Sequence, residues 1–151
     1  MEYPQLDLDV QLCFPLYAAS RAITREYTEL LAEVGLTYPQ YLVMLALWGT
    51  PSLSVSEIGR RLQLDSGTLT PLLKRLEAAG LVTRARDPED ERRVIVTLTA
   101  DGRALQHEVA EVPLRLWKSL GLSPEEYDAL RASLAKVLAN LAATPPESLD
   151  A

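Results

Sequence analysis

Hydrophobic side chains recur at intervals of three and four residues over most of this chain, which is the spacing that lines one face of an α-helix. Stretches with this spacing occupy residues 16–34, 41–48, 54–62, 69–76 and 130–141. A further stretch, residues 105–116, contains Pro113, which should interrupt or bend it because proline cannot donate a helical hydrogen bond. The pattern predicts a mainly helical protein.

Polar residues at the ends of these stretches predict where the helices begin. Ser54 and Glu57 have the spacing of a capping box, in which each side chain accepts a hydrogen bond from an otherwise unpaired amide. Residues 123–126 repeat this arrangement. Pro71 is best tolerated in a first turn, so the helix that contains it is expected to begin within residues 66–70.

Short stretches with other patterns predict strands. Residues 81–86 and residues 92–98, of which 94–97 are β-branched, are separated by the largely charged residues 87–91, which predicts a hairpin with a charged tip. Residues 6–16 alternate apolar and polar side chains, and this period of two by itself predicts another strand near the N-terminus.

The composition is typical of one folded domain, spanning residues 1–151. Hydrophobic residues make up 48% and charged residues 24% of the 151 positions, as in ordinary globular proteins. No apolar run reaches the ~18 residues of a membrane span, and the first residues lack the basic and apolar regions of a secretion signal. We therefore expect a cytoplasmic protein with no membrane partner.

The charge is unevenly distributed along the chain. A net charge of −6 argues at first against nucleic acid, because neutralisation of phosphates by Lys and Arg supplies most non-specific affinity. Residues 57–93, however, hold eight basic and seven acidic side chains. The excess of negative charge thus lies elsewhere, and the middle of the chain remains a candidate for contact with DNA.

Two consecutive helices followed by a hairpin have the order of a winged helix-turn-helix, here over residues 37–99. The second helix would enter the major groove, where Ser, Thr and Arg side chains reach base edges or phosphates. Its polar face supplies the candidates Ser66, Thr68, Thr70, Lys74 and Arg75. The alternative is a solvated helix face in a small α/β domain that binds no DNA.

Arginines flank the tip of the predicted hairpin, at positions Arg84, Arg86, Arg92 and Arg93. An arginine projecting from such a tip can enter a narrow minor groove, whose negative potential attracts it. Carboxylates such as Asp90 lie among them and would repel phosphate unless they hold the arginines in position. A salt-bridged hairpin that faces only solvent is the alternative.

Longer motifs carry a specific resemblance. The segment LDSGTLTPLLKRLE at residues 64–77, with GLV at 80–82, DER at 90–92 and LT at 98–99, is similar to the MarR superfamily of dimeric winged-helix regulators. With LCF at residues 12–14 and TYPQY at 37–41, the chain resembles the one-cysteine type of the organic hydroperoxide resistance regulator (OhrR) branch. The similarity covers about residues 12–105.

The resemblance implies how the chain would contact DNA. Ser66, Thr68 and Arg75 would lie at the major groove, and Arg92, oriented by Asp90, would be the minor-groove residue of the wing.

It also implies a homodimer and a mainly α fold with a small β-hairpin. In such families, helices from the two ends of the chain, here residues 6–34 and 100–143, intertwine between two copies. A two-fold dimer would present two reading helices roughly 34 Å apart to palindromic double-stranded DNA. Repression is the default action of the family.

Cys13 is the single cysteine of the chain. By itself, a lone cysteine in an apolar stretch is most often a small packing residue. With His107 as the one imidazole, metal ligation lacks partners, and neither a metal nor another cofactor is predicted.

The resemblance implies instead that Cys13 senses peroxide. Tyr27 and Tyr38 would hydrogen-bond its sulfur across the dimer interface, and phenolic donors stabilise the thiolate, which is the nucleophile. Tyr17, one turn after Cys13, is a further candidate for this pocket. Pro15 departs from the expected pattern and should disrupt helical hydrogen bonding around Cys13.

The surroundings of Cys13 indicate which reactants it would use. Its neighbours Leu12, Phe14 and Leu16 favour an organic hydroperoxide, since an apolar tail gains roughly 0.8 kcal/mol per buried methylene. Because no second cysteine is present, the sulfenic acid would react with a small cellular thiol or with further peroxide. Either product would move the interface helices and release the DNA.

Two other functions remain open at this point. The first is a MarR-like regulator that is released by a small aromatic ligand and in which Cys13 is structural. The second is an enzyme, a thiol peroxidase, although no acid, base or metal cluster accompanies Cys13 in the sequence. We predict a regulator rather than an enzyme.

Overall fold

The computed structural model describes residues 3–143, and residues 1–2 and 144–151 lie outside this description. Two single-turn 3-10 helices, Pro4–Leu6 and Leu8–Val10, precede seven α-helices and three strands in the described range. In chain order these are α1 (Cys13–Ala32), α2 (Tyr38–Gly49), β1 (Ser52–Ser54), α3 (Val55–Leu62), α4 (Ser66–Ala78), β2 (Val82–Arg86), β3 (Val94–Leu98), α5 (Ala100–Val109), α6 (Val112–Leu120) and α7 (Pro124–Ala143).

Side-chain caps begin the helices of the central region. Thr37 and Gln40 form a capping box at α2, and Ser54 and Glu57 form the predicted box at α3. Asp65 accepts a hydrogen bond from the Thr68 amide and starts α4 at Ser66, within the predicted range, but Pro71 is the sixth residue of that helix and lies inside it rather than in the first turn. The bonds at α3 and α4 fix helix starts that the sequence predicted, and the box at Thr37 begins α2 three residues before the apolar stretch 41–48.

The break near Pro113 is also confirmed, because α5 ends at Val109 and α6 begins at Val112. Pro113 is the second residue of α6, where its missing amide hydrogen is not needed. At α7, the Ser123 hydroxyl accepts from the Glu126 amide, and the Ser123 amide donates to the Glu126 carboxylate at 2.8 Å.

The sheet has one strand more than the predicted hairpin. Its order is β1-β3-β2, with both pairs antiparallel. Leu53 of β1 lies opposite Val96 of β3, and Val82 of β2 lies opposite Leu98. A three-residue Ser-Leu-Ser segment is too short to show a strand period, so β1 exists because β3 offers it a hydrogen-bonding edge.

The core lies between α2, α3, α4 and the sheet. Its buried side chains come from all of these elements and from α1 and α5, and they include Leu31, Tyr41, Met44, Leu47, Ile58, Leu69, Leu73, Leu76, Val96 and Leu105. Helix α4 and the hairpin of β2 and β3 are therefore built on one packed body.

The strand expected over residues 6–16 is wrong. Two 3-10 turns and the first turn of α1 occupy this segment, and apolar side chains such as Leu6, Leu8 and Val10 are exposed. No strand among the described residues pairs with it, and Pro4 fixes a turn conformation at its start. Alternation alone cannot form a strand without a pairing edge.

Pro15 does not disrupt the helix around Cys13. It is the third residue of α1, within the first turn, where amide hydrogens have no helical acceptor. Cys13 therefore begins a regular helix.

The described chain forms two compact units, one extending to Leu116 and the other beginning at Trp117. In the second unit, the Trp117 indole donates to the Leu122 carbonyl and its ring lies 5.9 Å from that of Tyr127. Apolar side chains of α7 are exposed in the single chain, namely Leu130, Leu134, Val137, Leu138 and Leu141. Within residues 3–143, the helices lack a continuous apolar stretch of the length that a bilayer span requires.

Candidate DNA-binding surface and sensor cysteine

The solvent-facing side of α4 carries all five predicted reading residues. Ser66, Thr68, Thr70, Lys74 and Arg75 are exposed, whereas the leucines of the same helix are buried. The Thr70 hydroxyl donates to the Ser66 carbonyl at 2.7 Å, and the Thr68 hydroxyl donates to the Asp65 carboxylate at 2.9 Å. These bonds orient both hydroxyls and leave their oxygens available as acceptors.

Arg92 projects from the tip of the hairpin and is held there by Asp90. Its side chain is 91% exposed, and its Nε and Nη2 atoms donate to the two carboxylate oxygens of Asp90 at 3.0 and 3.2 Å. The hydrogen bond from Arg92 lowers the pKa of Asp90 below its usual range, so the carboxylate is charged at neutral pH. Arg86 is exposed nearby and donates to the Glu91 carbonyl at 3.1 Å.

Arg84 has a different environment from the other hairpin arginines. Its side chain is 24% exposed, and its Nε and Nη2 atoms both donate to one carboxylate oxygen of Glu77 on α4, at 3.0 and 2.7 Å. The Arg84 amide donates to the other oxygen at 3.0 Å. These bonds lower the pKa of Glu77, with the side-chain hydrogen bond as the largest cause.

A cavity of about 720 Å³ opens between α3, the beginning of α4 and the hairpin. Arg60, Arg84, Arg92 and Arg93 line it, together with hydroxyls that include Thr70. None of the described residues lining this cavity is acidic. Three of these arginines, Arg84, Arg92 and Arg93, are paired with carboxylates that lie just outside the lining, so the cavity wall itself is basic whereas its surroundings are of mixed charge.

Sequence reasoning missed two polar residues of this surface, Arg60 and Gln63. Both are exposed at the end of α3 and line the same cavity as Arg92. In helix-turn-helix proteins the first helix crosses the DNA backbone, and that geometry was the available signal. The guanidinium of Arg93, by contrast, lies 3.9 Å from the Glu57 carboxylate and 3.7 Å from the Asp87 carboxylate, so its charge is already paired within the protein.

Cys13 is the first residue of α1, and it is exposed. Exposed apolar side chains surround it in sequence, including Leu12 and Phe14. One turn later, the Tyr17 hydroxyl accepts a hydrogen bond from Arg21 at 2.7 Å, and the Arg21 guanidinium lies 5.5 Å from the centre of the Tyr17 ring.

Tyr27 and Tyr38 lie together, stacked with ring centres 4.5 Å apart. Tyr41 continues this aromatic group at 5.6 Å from Tyr27. Burial raises the pKa of Tyr38, so its phenol remains protonated and able to donate throughout the physiological range.

The two tyrosines are distant from Cys13 within one chain. Cys13 and Tyr27 belong to the same continuous helix, and their separation of fourteen residues corresponds to ~21 Å at about 1.5 Å per residue. A single chain therefore does not bring this tyrosine to the sulfur. Among the described residues no group of three or more His, Cys, Asp and Glu side chains could hold a metal ion.

Comparisons with known proteins identify the family to which this chain belongs. A sequence profile of the SarA/Rot transcriptional regulators matches residues 25–109, which is more than half of the chain. The chain belongs to the SarA/MarR family of transcriptional regulators. It is 44% identical to the organic hydroperoxide resistance transcriptional regulator of Bacillus subtilis, over 93% of this chain and 95% of that protein.

Other members of the family are similarly close. The transcriptional regulator TtmR of Methylorubrum extorquens is 55% identical over 86% of this chain and 67% of its own length. These relatives are transcriptional regulators, which confirms the prediction of a regulator rather than an enzyme.

Solved structures of AbfR, a protein of Staphylococcus epidermidis, resemble this chain in shape as well. Reduced AbfR bound to DNA superposes with a TM-score of 0.79 at 40% identity, over 93% of this chain and 96% of AbfR. AbfR with a disulfide formed gives a lower TM-score of 0.64 over 89% of this chain and 94% of AbfR. The match to this DNA-bound regulator confirms the predicted winged-helix fold.

Proposed function

We propose that this SarA/MarR-family member is a peroxide-sensing transcriptional repressor that binds palindromic DNA as a homodimer and is released when an organic hydroperoxide oxidises Cys13. The observation that carries the proposal is the identity of 44% with OhrR over nearly the whole chain, combined with one exposed cysteine at the beginning of α1.

DNA binding is supported by the cavity between α3, α4 and the hairpin. In this proposal α4 enters the major groove with Ser66, Thr68, Thr70, Lys74 and Arg75, and Arg92 enters the minor groove with Asp90 fixing its direction. Arg60 and Gln63 would contact the backbone that borders the groove. The absence of carboxylates among the described residues lining the cavity permits this approach.

The dimer is needed to complete the sensor. Because Tyr27 lies ~21 Å along the helix from the Cys13 of its own chain, the tyrosines reach sulfur through a second copy that packs against α1. The exposed apolar side chains of the N-terminal segment and of α7 supply the surface that such packing would bury.

The chemistry of release has two steps. The Cys13 thiolate attacks the peroxide, so that an S–O bond forms, the O–O bond breaks, and the alkoxide leaves and takes a proton to become the alcohol. A small cellular thiol then displaces the oxygen of the sulfenic acid as water, forming a mixed disulfide.

The bulk of the mixed disulfide would separate the interface helices and change the spacing of the two reading helices. A difference of about 3 kcal/mol between the two states would give a switch of ~150-fold in DNA affinity. We assign release to the mixed disulfide because over-oxidised AbfR, a relative, is itself known bound to DNA.

The test is an affinity measurement with and without oxidant. Wild type and Cys13→Ser are compared on a palindromic duplex selected with the wild type, with an alkyl hydroperoxide plus a small thiol present or absent. We expect equal binding when reduced and loss of binding in the wild type alone when oxidised. Release of Cys13→Ser by the oxidant would overturn the sensor role, and release of both proteins by a small aromatic compound would favour a ligand-gated regulator.

A matched control addresses the tyrosine. Tyr27→Phe keeps the stacked ring and removes only the hydroxyl, so it should bind DNA as the wild type does but react more slowly with peroxide. An unchanged oxidation rate would remove Tyr27 from the sensor.

A further inference from the structure

The contact between Glu77 and Arg84 joins the reading helix to the hairpin. Glu77 lies in the last turn of α4, and Arg84 lies in the middle of β2. One carboxylate accepts three hydrogen bonds, two from the guanidinium and one from the Arg84 backbone amide. The backbone bond fixes the strand itself, and not merely a flexible side chain, against the helix.

This contact lies where the hairpin leaves the body of the protein. Arg84 is opposite Val96 in the sheet, and Val96 is the last hairpin side chain toward the tip that is buried. Beyond this pair, Ala85 and Arg86 are exposed, and β1 accompanies β3 only as far as Ile95. Apolar packing is therefore weaker beyond Arg84, where the opposite side chains Ile95 and Val94 are only half-buried and the longer contact of Arg93 with Glu57, at 3.9 Å, is a further restraint.

Because the contact lies at the base of the hairpin, a small change in its geometry would displace Arg92 at the tip. Arg92 is four residues beyond Val96, at most about 13 Å away at ~3.3 Å per residue. A tilt of the hairpin by about 10° over that length would move Arg92 by roughly 2 Å, which is enough to break an aligned hydrogen bond. The paired strands transmit such a tilt, since Arg86 pairs with Val94 and the Asp87 amide donates to the Arg93 carbonyl at 2.9 Å.

We infer that Glu77 is a positioning residue for DNA recognition: it clamps β2 through Arg84, so that α4 and the minor-groove arginine Arg92 reach the duplex at a fixed offset. The inference rests on the proposed function. It also reassigns Arg84, which acts on DNA through the hairpin rather than by direct contact.

Simple electrostatics predicts the opposite effect for removal of Glu77. Taking one negative charge from a protein of net charge −6 reduces its repulsion of phosphate and should tighten binding. If Arg84 contacted DNA directly, releasing it from Glu77 would tighten binding as well. A weaker complex after loss of Glu77 therefore requires a geometric cause.

The experiment is a double-mutant cycle on the full-length protein. Glu77→Gln, Arg92→Ala and the double variant are compared with the wild type by affinity for a palindromic duplex that the wild type selects from a random library. Glu108→Gln, an exposed carboxylate on α5, is the control for the loss of one charge. Thermal unfolding of each variant checks that it is folded, and Arg84→Met replaces Glu77→Gln in the cycle if that variant does not fold.

We expect Glu77→Gln to weaken binding by about tenfold, corresponding to ~1.4 kcal/mol. In the Arg92→Ala background the same change should weaken binding by less than about twofold. The two effects would then be far from additive, as expected when Glu77 acts through Arg92. An equal loss in both backgrounds, unchanged affinity, or tighter binding would each overturn the inference. Failure of the wild type to select any duplex would instead refute the proposed function.

Discussion

Replacement of Gly102 by alanine should destabilise the protein, although helix propensity predicts the reverse. Gly102 is the third residue of α5 and is buried against the turn between α4 and β2. An alanine Cβ there would lie 2.1 Å from the Leu81 carbonyl oxygen and 2.9 Å from a methyl group of Leu98. Neither rotamer changes nor solvent can relieve a clash with a backbone atom, so α5 or the turn must move.

The size of the effect follows from two opposing terms. Overpacking that forces a backbone shift typically costs about 1–3 kcal/mol, and exchanging glycine for alanine in a helix returns up to about 1 kcal/mol. Because the contact at 2.1 Å is very short, we take a cost near the upper limit of this range. The free energy of unfolding should therefore fall by roughly 2 kcal/mol in total. The Trp48 indole, which donates to the Gly102 carbonyl at 2.8 Å, would be displaced with the helix.

Gly49→Ala is the matched control for this prediction. Gly49 also lies in a helix, as the last residue of α2, and an added Cβ there meets no atom within 4 Å. It should therefore stabilise the protein by about 0.4–1 kcal/mol, through the reduced freedom of the unfolded chain. Helix propensity alone predicts that both variants are more stable than the wild type. The tertiary contacts predict instead that Gly49→Ala is more stable and Gly102→Ala less stable.

The assay is urea unfolding of wild type and both variants at one protein concentration, since the proposed dimerisation would make apparent stability depend on concentration. Because Leu81 precedes β2 and Leu98 ends β3, Gly102→Ala should also weaken DNA binding by shifting the base of the hairpin. If Gly102→Ala is as stable as the wild type or more so, the close packing of α5 on this turn is refuted.

Three further predictions concern the dimer, the oxidant and acid. Leu134→Glu puts a charge into the exposed apolar stripe of α7, so sedimentation should report monomers at concentrations where the wild type is dimeric; an unchanged mass would argue against α7 as the interface. Cys13 should react faster with an alkyl hydroperoxide than with hydrogen peroxide, because an apolar tail can be buried beside Phe14, and equal rates in a stopped-flow assay would remove that argument. Five carboxylates, Glu57, Asp65, Glu77, Asp90 and Glu125, have a pKa below the ordinary 3.8 for Asp and 4.5 for Glu. Their contribution is complete above those values and is lost as pH falls through each lowered pKa, so unfolding midpoints should decline below about pH 4.5, and a flat profile there would contradict these contacts.

The amino-acid sequence by itself determined the parts of this protein that depend on near neighbours. The boxes Ser54–Glu57 and Thr37–Gln40 satisfy amides within one turn, and the leucines of α4 follow the helical repeat, so helix starts and buried faces could be predicted from spacing alone. The hairpin and the pairing of Asp90 with Arg92 are local in the same sense.

Tertiary structure decided everything that required a distant partner. β1 exists because β3 provides an edge, whereas residues 6–16, with a better alternation, find none among the described residues and form turns. The capture of Arg84 by Glu77 and the approach of Gly102 to Leu81 join positions 7 and 21 residues apart. Hydrophobic periodicity reports which face of an element is buried but not which element covers it, and that choice depends on packing across the whole chain.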